Sequence, residues 1–194
     1  MKTQEIPRLI FGPQFSFYRK PIWNTAPYKP VSLYDVYSYI TGAYAAPQTE
    51  HLRTLTDKKE ADAYKAKAFD YVTFGGTFTK RDDDCLIFPS DLLCLDFDHV
   101  PNVQMYRNQF LADPEFETAL MFTSPSGHGI KWIVPIRTCC HTYQQVFAAV
   151  TNYVKATYGL VPDQKCKDIS RACFLPHDAG AWINPKYVPF NAQR

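Results

Sequence analysis

The sequence contains no run near the roughly 20 consecutive apolar residues that a membrane span needs. Its first segment, MKTQEIPRLIFG, lacks the apolar core of a secretory signal. Both absences lead to the expectation of a cytoplasmic protein with no membrane partner. Strong charge of either sign is missing too: 21 Lys and Arg stand against 19 Asp and Glu, a formal balance of +2. So small a balance does not announce a nucleic acid, and any such partner has to be argued from local constellations. The six cysteines, at 85, 94, 139, 140, 166 and 173, include no C-x-x-C pair and no flanking histidine at finger spacing. That argues against zinc and for reduced core thiols. The sequence also lacks the phosphate loop of an ATPase, so an unwinding partner would be a separate chain or a region outside this sequence.

What is present suffices for a folded domain. At 194 residues, 46% hydrophobic and 15% aromatic, the chain can bury a real core and is not a disordered segment. It reads as a single unit over 1–194, with an N-terminal extension over 1–90 and a core over 91–194. Prolines at 7, 13, 21, 27 and 30, set between Phe11, Phe15, Phe17, Tyr18, Trp23 and Tyr28, suit an extended arm or a short edge strand. Ser32 and Asp35 form a capping-box pattern ahead of Leu33, Val36, Tyr37, Ile40 and Tyr44 at helical spacing. A second, highly charged helix starts near Asp57, and Arg53 falls in a polar loop between the two. YVTFGGTFT (71–79) and CLIF (85–88) predict a hairpin with Lys80 and Arg81 at its tip.

The remaining residues predict the order β-α-β-β-α-β. The strands are LLCLDF (92–97), TALMFT (118–123), IKWIVPI (130–136) and SRACFL (170–175); the helices are one capped by Asn102 and a long one carrying Tyr143, Val146, Phe147, Val150 and Val154. This is an α+β, split βαβ arrangement of ferredoxin-like or RRM-like type, with both helices on one sheet face and the other face open.

Three segments carry chemistry. In LLCLDFD, alternation sends Leu93, Leu95 and Phe97 to one face and Asp96 and Asp98 to the other. Two same-face carboxylates repel unless a cation lies between them, and such a pair can hold two divalent ions about 4 Å apart for in-line phosphoryl transfer. The bland alternative is a strand that ends in surface acids. In SPSGHGIKWIV (124–134), Ser124, Ser126, Gly127, His128 and Gly129 form a turn whose backbone could approach phosphate, and Lys131 leaves the turn on the same face as Asp96. A plain hairpin turn would look the same. In VPDQKCKDISRACFLPHD (161–178), Asp163, Lys165, Lys167, Asp168 and Arg171 crowd together; one acid could complete a three-carboxylate site, and Arg171 suits bidentate phosphate contact. A solvated mixed-charge turn is the alternative there. Convergence of the three segments on one sheet face favours a site.

Together, in this order, the segments resemble the motifs of the archaeo-eukaryotic primase, or prim-pol, superfamily. More specifically the chain resembles the VirE amino-terminal-type primase-like domain of mobile-element primase and helicase proteins. The resemblance implies a prim-pol fold and a DNA primase-polymerase that transfers NTP or dNTP on a single-stranded DNA template. It also implies two Mg²⁺ or Mn²⁺ ions on Asp96, Asp98 and a third acid, Asp163 by its hydrophobic lead or alternatively Asp168. Ser124, Ser126, Gly127, His128, Gly129, Lys131 and Arg171 are expected to hold the triphosphate, with Lys131 standing where many superfamily members have His. Lys80, Arg81 and Arg53 are the expected nucleic-acid contacts. The main rival is an inactive module that binds single-stranded DNA or nucleotide for a helicase. A relaxase would need an H-x-H metal triad that the sequence lacks, and a purely structural protein leaves the Asp96/Asp98 pair unexplained.

Overall fold

The structure, a computed structural model, describes residues 12–138 and 140–192. Pro7, Phe11 and Cys139 lie outside the described residues. The protein is mixed α+β with antiparallel sheets. The N-terminal half contributes β1 (Gln14–Tyr18), β2 (Lys29–Ser32), α1 (Leu33–Thr41), α2 (Ala46–Thr54), α3 (Lys58–Ala68), β3 (Tyr71–Thr73), β4 (Gly76–Phe78) and β5 (Leu86–Pro89). The second half contributes β6 (Leu92–Phe97), α4 (Val103–Leu111), β7 (Leu120–Thr123), β8 (Ile130–Pro135), α5 (Tyr143–Tyr158), β9 (Cys173–Phe174) and β10 (Trp182–Ile183). Among the described residues no helix is long and apolar enough to cross a membrane.

The local signals for α1, α3, α4 and α5 hold in the structure. Ser32 and Asp35 exchange both capping-box hydrogen bonds at the start of α1. Asp57 caps α3, and the Asn102 side chain accepts the Met105 N–H at 2.9 Å to cap α4. Ser32→Ala removes one of the two reciprocal bonds and is expected to lower stability by about 1 kcal/mol, read from the urea midpoint.

Three expectations change. The segment carrying Arg53 is a helix, α2, which has Pro47 in its first turn and buries only Thr49 and Leu52, so it shows almost no apolar periodicity. Residues 71–79 do not form one strand: β3 joins the N-terminal sheet and β4 pairs separately with β5. The helical run of α1 stops at Thr41, before Tyr44.

The larger corrections concern topology. One sheet has the order β10-β7-β8-β6 and the other β2-β1-β3-β9. β6, β8 and β7 sit as the split βαβ pattern requires. The expected closing strand, however, pairs with β3 in the other sheet, through Tyr71↔Phe174 and Val72↔Cys173. The sheet face turned away from α4 and α5 is not open either. Leu92, Leu120, Phe122 and Ile133 on that face join Phe15, Val72, Leu33, Val36 and Ile40 in one buried cluster. Its physical reason lies in those apolar side chains, which need cover as much as the opposite face does. The opposite face packs Leu93, Leu95, Phe97, Ile130, Trp132 and Val134 on Phe110, Phe147, Val150 and Val154. β6 is therefore sandwiched, and the polar end of its second face lies between two layers.

Candidate functional site

Asp96 and Lys131 are direct cross-strand partners in the β6–β8 register. Alternation points both away from α4 and α5, and the Lys131 ammonium pairs with Asp96 Oδ2. The Lys131 side chain is 10% exposed and that of Asp96 14%. Burial pulls the Lys131 pKa down, but the Asp96 carboxylate, together with Cys173 and Cys94, outweighs it and holds the ammonium above its ordinary value. The other Asp96 oxygen, Oδ1, is buried without a hydrogen-bond partner among the described residues.

β6 is an edge strand, and the chain after α5 occupies its outer edge. The Asp163 N–H donates to the Asp96 carbonyl at 2.8 Å. A 3₁₀ turn, Gln164–Lys167, follows, capped by the Asp163 side chain. This turn takes the place where a fourth strand would pair with β6. Asp163 Oδ2 accepts Arg171 Nη2 at 2.9 Å, and the Arg171 N–H donates to the Asp168 carbonyl at 2.9 Å. The turn thereby separates the two acids that the sequence left as alternatives: Asp163 faces Asp96, while Asp168 supports Arg171 through its backbone and lines neither cavity described below.

Carboxylate oxygens of Asp96 and Asp163 and the Sγ of Cys166 lie within 4.8 Å of one another. Cys166 is a ligand candidate that the sequence reading did not single out. Its signal was its spacing from Asp163, three residues, which in a 3₁₀ turn eclipses the two side chains. Burial, then the Asp96 charge, pushes the Cys166 thiol up to about 12. Asp98 is exposed at the rim of the same cleft and stands outside that three-residue group. Asp96 and Asp163 are oxygen donors of the kind a divalent cation takes, and Asp96 Oδ1 is free of a hydrogen bond among the described residues; Asp96 Oδ2 and both Asp163 oxygens already accept from Lys131, Lys165 N–H and Arg171.

The cleft has a volume of about 210 Å³. Asp96, Asp98, Asp163, Lys131 and Arg171 line it from the second half, Ser124 and Ser126 border it, and Lys65 and Arg81 close it from the N-terminal half. Three carboxylates thus meet four cations, a net positive lining. Arg81 is drawn into this wall: its Nη2 donates to the Ile22 carbonyl at 3.0 Å and its guanidinium lies 5.3 Å from the Tyr71 ring centre. Its Nε is buried without a hydrogen-bond partner among the described residues. Lys80 stays exposed at the tip and does not line the cleft.

The 124–129 turn divides two cavities. Ser124 N–H donates to the Gly129 carbonyl and Gly127 N–H to the Ser124 carbonyl, both at 2.9 Å, so two of its amides close the turn itself. Gly127 has φ +85°, a conformation natural to glycine, and packs on Arg53, whose Nε donates to the Pro125 carbonyl at 3.2 Å. A Cβ on Gly129 would collide with the Phe97 carbonyl, so this glycine lets the end of β6 pass close to the turn. His128 is exposed; with Arg53, Gly127 and Ser126 it borders the second cavity, of about 530 Å³, beside His177 and Asp178. In the N-terminal arm Phe15 and Tyr18 are core, and Trp23 and Tyr28 are exposed.

Fold and site define an α+β protein of two four-stranded antiparallel sheets and a separate β4–β5 pair, with a mixed acidic and basic cleft at the carboxyl end of β6. The chain belongs to the family described as BT4734-like, N-terminal domain, whose model matches residues 63–182, more than half of its 194 residues. That span includes all the carboxylates and cations of the cleft and excludes Arg53. No curated protein and no solved structure matches the chain.

Proposed function

We propose that this chain is a metal-dependent DNA primase-polymerase with a prim-pol fold. It would transfer NTP or dNTP to a primer or initiating nucleotide on a single-stranded DNA template, in the replication of a mobile element and beside a helicase supplied elsewhere. The observation that carries the reading is the net positive cleft in which Asp96 and Asp163 converge while Lys131, Arg171 and Arg81 surround them. A triphosphate is the ligand class that matches three cations around a carboxylate pair. Mg²⁺ or Mn²⁺ held by Asp96 and Asp163, with Asp98 at the rim and Asp168 outside, would supply activation of the attacking hydroxyl and charge neutralisation on pyrophosphate.

The chain's own residues divide the remaining work. Arg171 is oriented by Asp163 and the Asp168 carbonyl and presents its other guanidinium edge to phosphate. Arg81 stands on the cleft wall as a fixed positive charge, which moves it from the template contact expected from sequence to a triphosphate contact. Lys80, exposed beside it, keeps the template role, and Arg53 holds the 124–129 turn in shape. Ser126 lies on the wall shared by both cavities, with its hydroxyl 3.2 Å from that of Ser124.

One observation favours the rival reading of a module that binds without turnover: the Lys131 ammonium already occupies Asp96 Oδ2. The two separate in one assay. The full chain, with Mn²⁺ or Mg²⁺, a single-stranded template and labelled nucleotides, is expected to yield extended primers or dinucleotides. Asp163→Asn should lose the product while retaining template binding by fluorescence anisotropy. Absence of product from the unmodified chain, with template binding retained, would establish the binding module instead.

A further inference from the structure

We infer that the pocket between α1 and the N-terminal sheet is a binding site for single-stranded nucleic acid, in which bases stack on Tyr28 and Tyr44 while Arg19, Lys20 and Lys29 hold the flanking phosphates. The pocket, of about 490 Å³, shares no lining residue with the cleft. Phe174 lines the cleft and its neighbour Leu175 lines this pocket, so one chain segment divides the two. The inference goes beyond the proposed polymerase, which places template contact at Lys80, and it stands whether or not the cleft turns nucleotides over. The tyrosines and cations of the pocket all precede residue 63, outside the span that the family model matches.

Four rings form the pocket through successive contacts between centroids: Tyr28 to Phe17 at 6.4 Å, Phe17 to Tyr39 at 5.9 Å and Tyr39 to Tyr44 at 5.2 Å. The inner two are fixed, Phe17 within the core and Tyr39 by its hydroxyl, which donates to Asp70 Oδ2 at 3.0 Å. The outer two are not needed to close the core, since Tyr28 is 57% exposed and Tyr44 54%. Aromatic faces held at the surface by a rigid floor are what base stacking requires, and they tolerate any base.

Charge names the occupant. The Arg19 guanidinium lies 4.4 Å over the Tyr28 ring and the Lys20 ammonium 6.0 Å from the Tyr44 ring, so cations stand at both ends of the aromatic series; Lys29 also lines the pocket. The two carboxylates are turned to internal donors: Asp70 accepts the Lys20 N–H and the Tyr39 hydroxyl, and Asp35 accepts the Ser32 N–H and hydroxyl in the α1 cap. A methylated ammonium, the other ligand of aromatic cages, would therefore meet three cations and carboxylates already engaged. Cations divided between the two ends of the rings suit successive phosphates of a strand better than the single cluster of a free nucleotide, and a duplex keeps its base faces hidden.

The test is fluorescence anisotropy of a short labelled oligothymidylate with the full chain, free of added metal and nucleotide. It is joined to ultraviolet crosslinking of the same strand carrying 5-iododeoxyuridine, with the adduct mapped by mass spectrometry. Adducts should fall on Tyr28 or Tyr44. Tyr28→Ala and Tyr44→Ala should each weaken binding by about 5–100-fold, and Lys29→Gln should flatten the slope of log affinity against log salt by about 0.7. Phe190→Ala, which removes a ring 79% exposed outside the pocket, should leave affinity intact. An excess of dTTP should not displace the strand, and a duplex of the same length should compete poorly. Should a tyrosine variant not fold, the adduct map of the unmodified chain reports the same contacts. Unchanged affinity in the variant carrying both tyrosine substitutions, adducts only at other residues, or displacement by dTTP or duplex as effective as by unlabelled strand would overturn the assignment. Primer extension by a chain whose strand affinity ignores both tyrosines would sink the inference alone. Tyrosine-dependent strand binding without extension would sink the polymerase reading alone.

Discussion

Asp96→Ala is expected to abolish templated extension and also to lower the stability of the fold by about 3–5 kcal/mol. The activity loss follows from the proposed function, in which Asp96 would serve both the cation and the triphosphate. The stability loss has a separate origin: Lys131 is almost fully buried between β8 and the N-terminal layer, and Asp96 is its ion-pair partner. Without that partner the ammonium must either stay charged in a poorly solvated position or lose its proton. Lys131→Met reverses the situation and strands the Asp96 carboxylate, with a similar penalty. Removing both charges, as Asp96→Leu with Lys131→Met, should recover most of the stability, because replacing a buried pair by apolar side chains of similar size is often neutral or better. The double variant must remain inactive. Urea unfolding of the unmodified chain, Asp96→Leu, Lys131→Met and the double variant, run as a cycle, measures the coupling; near-additive single effects would mean that the pair contributes little.

The pH dependence of this pair has a definite sign. Folding raises the Lys131 pKa above its unfolded value. Its stabilising contribution is therefore complete below the unfolded lysine pKa of about 10.4 and is lost as pH rises through the higher folded value. Cys166, also raised, adds to the same alkaline loss from the unfolded thiol pKa of about 8.5 upward. From these two groups, stability should be flat across neutral pH and fall on the alkaline side.

The strands and caps were legible because their signals are local. Alternation in LLCLDF and IKWIVP fixes which residues face α4 and α5 and puts Asp96 and Lys131 on one sheet face; that the two stand directly opposite is a matter of register between distant strands, which alternation does not give. Ser32, Asp57 and Asn102 likewise announce their helices within one turn. What could not be read depends on partners far away in the chain. β9 pairs with β3 across about a hundred residues, and two-residue strands carry no periodicity. The cover over the second sheet face was implied by Leu92 and Ile133, but nothing local named Phe15 and Val72 as the cover. α2 was hidden by its polarity. The same division runs through the site. Asp96, Asp98, Lys131 and Arg171 were read from strand parity and motif, and they share one cleft. Arg81 was placed at a tip whose approach to the cleft depends on Ile22 and Thr25, and Cys166 was read as a core thiol.

Trp132→Ala is expected to destabilise the protein by about 3–5 kcal/mol, enough to leave a domain of ordinary stability partly unfolded. Trp132 is fully buried on the helix-facing side of β8, and its ring stacks on Phe110 with centroids 4.4 Å apart and planes 4° apart. Phe116 meets it edge-on at 6.4 Å. The indole N–H donates to Thr118 Oγ1 at 2.8 Å, so truncation opens a large cavity and also strips a buried hydroxyl of its donor. Trp132→Phe keeps part of the ring contact, loses the hydrogen bond and opens a smaller cavity than Ala, so its expected loss, about 2 kcal/mol, is less than that of Trp132→Ala. The site should respond to the two variants differently. Trp132 neighbours Lys131 on the strand but points to the opposite face, so a folded Trp132→Phe protein should keep the Asp96 to Lys131 register and its cation affinity. Urea midpoints measured alongside Mn²⁺ titration distinguish the outcomes: a Trp132→Phe variant with full stability but impaired Mn²⁺ binding would show that the two faces of β8 are not mechanically separate.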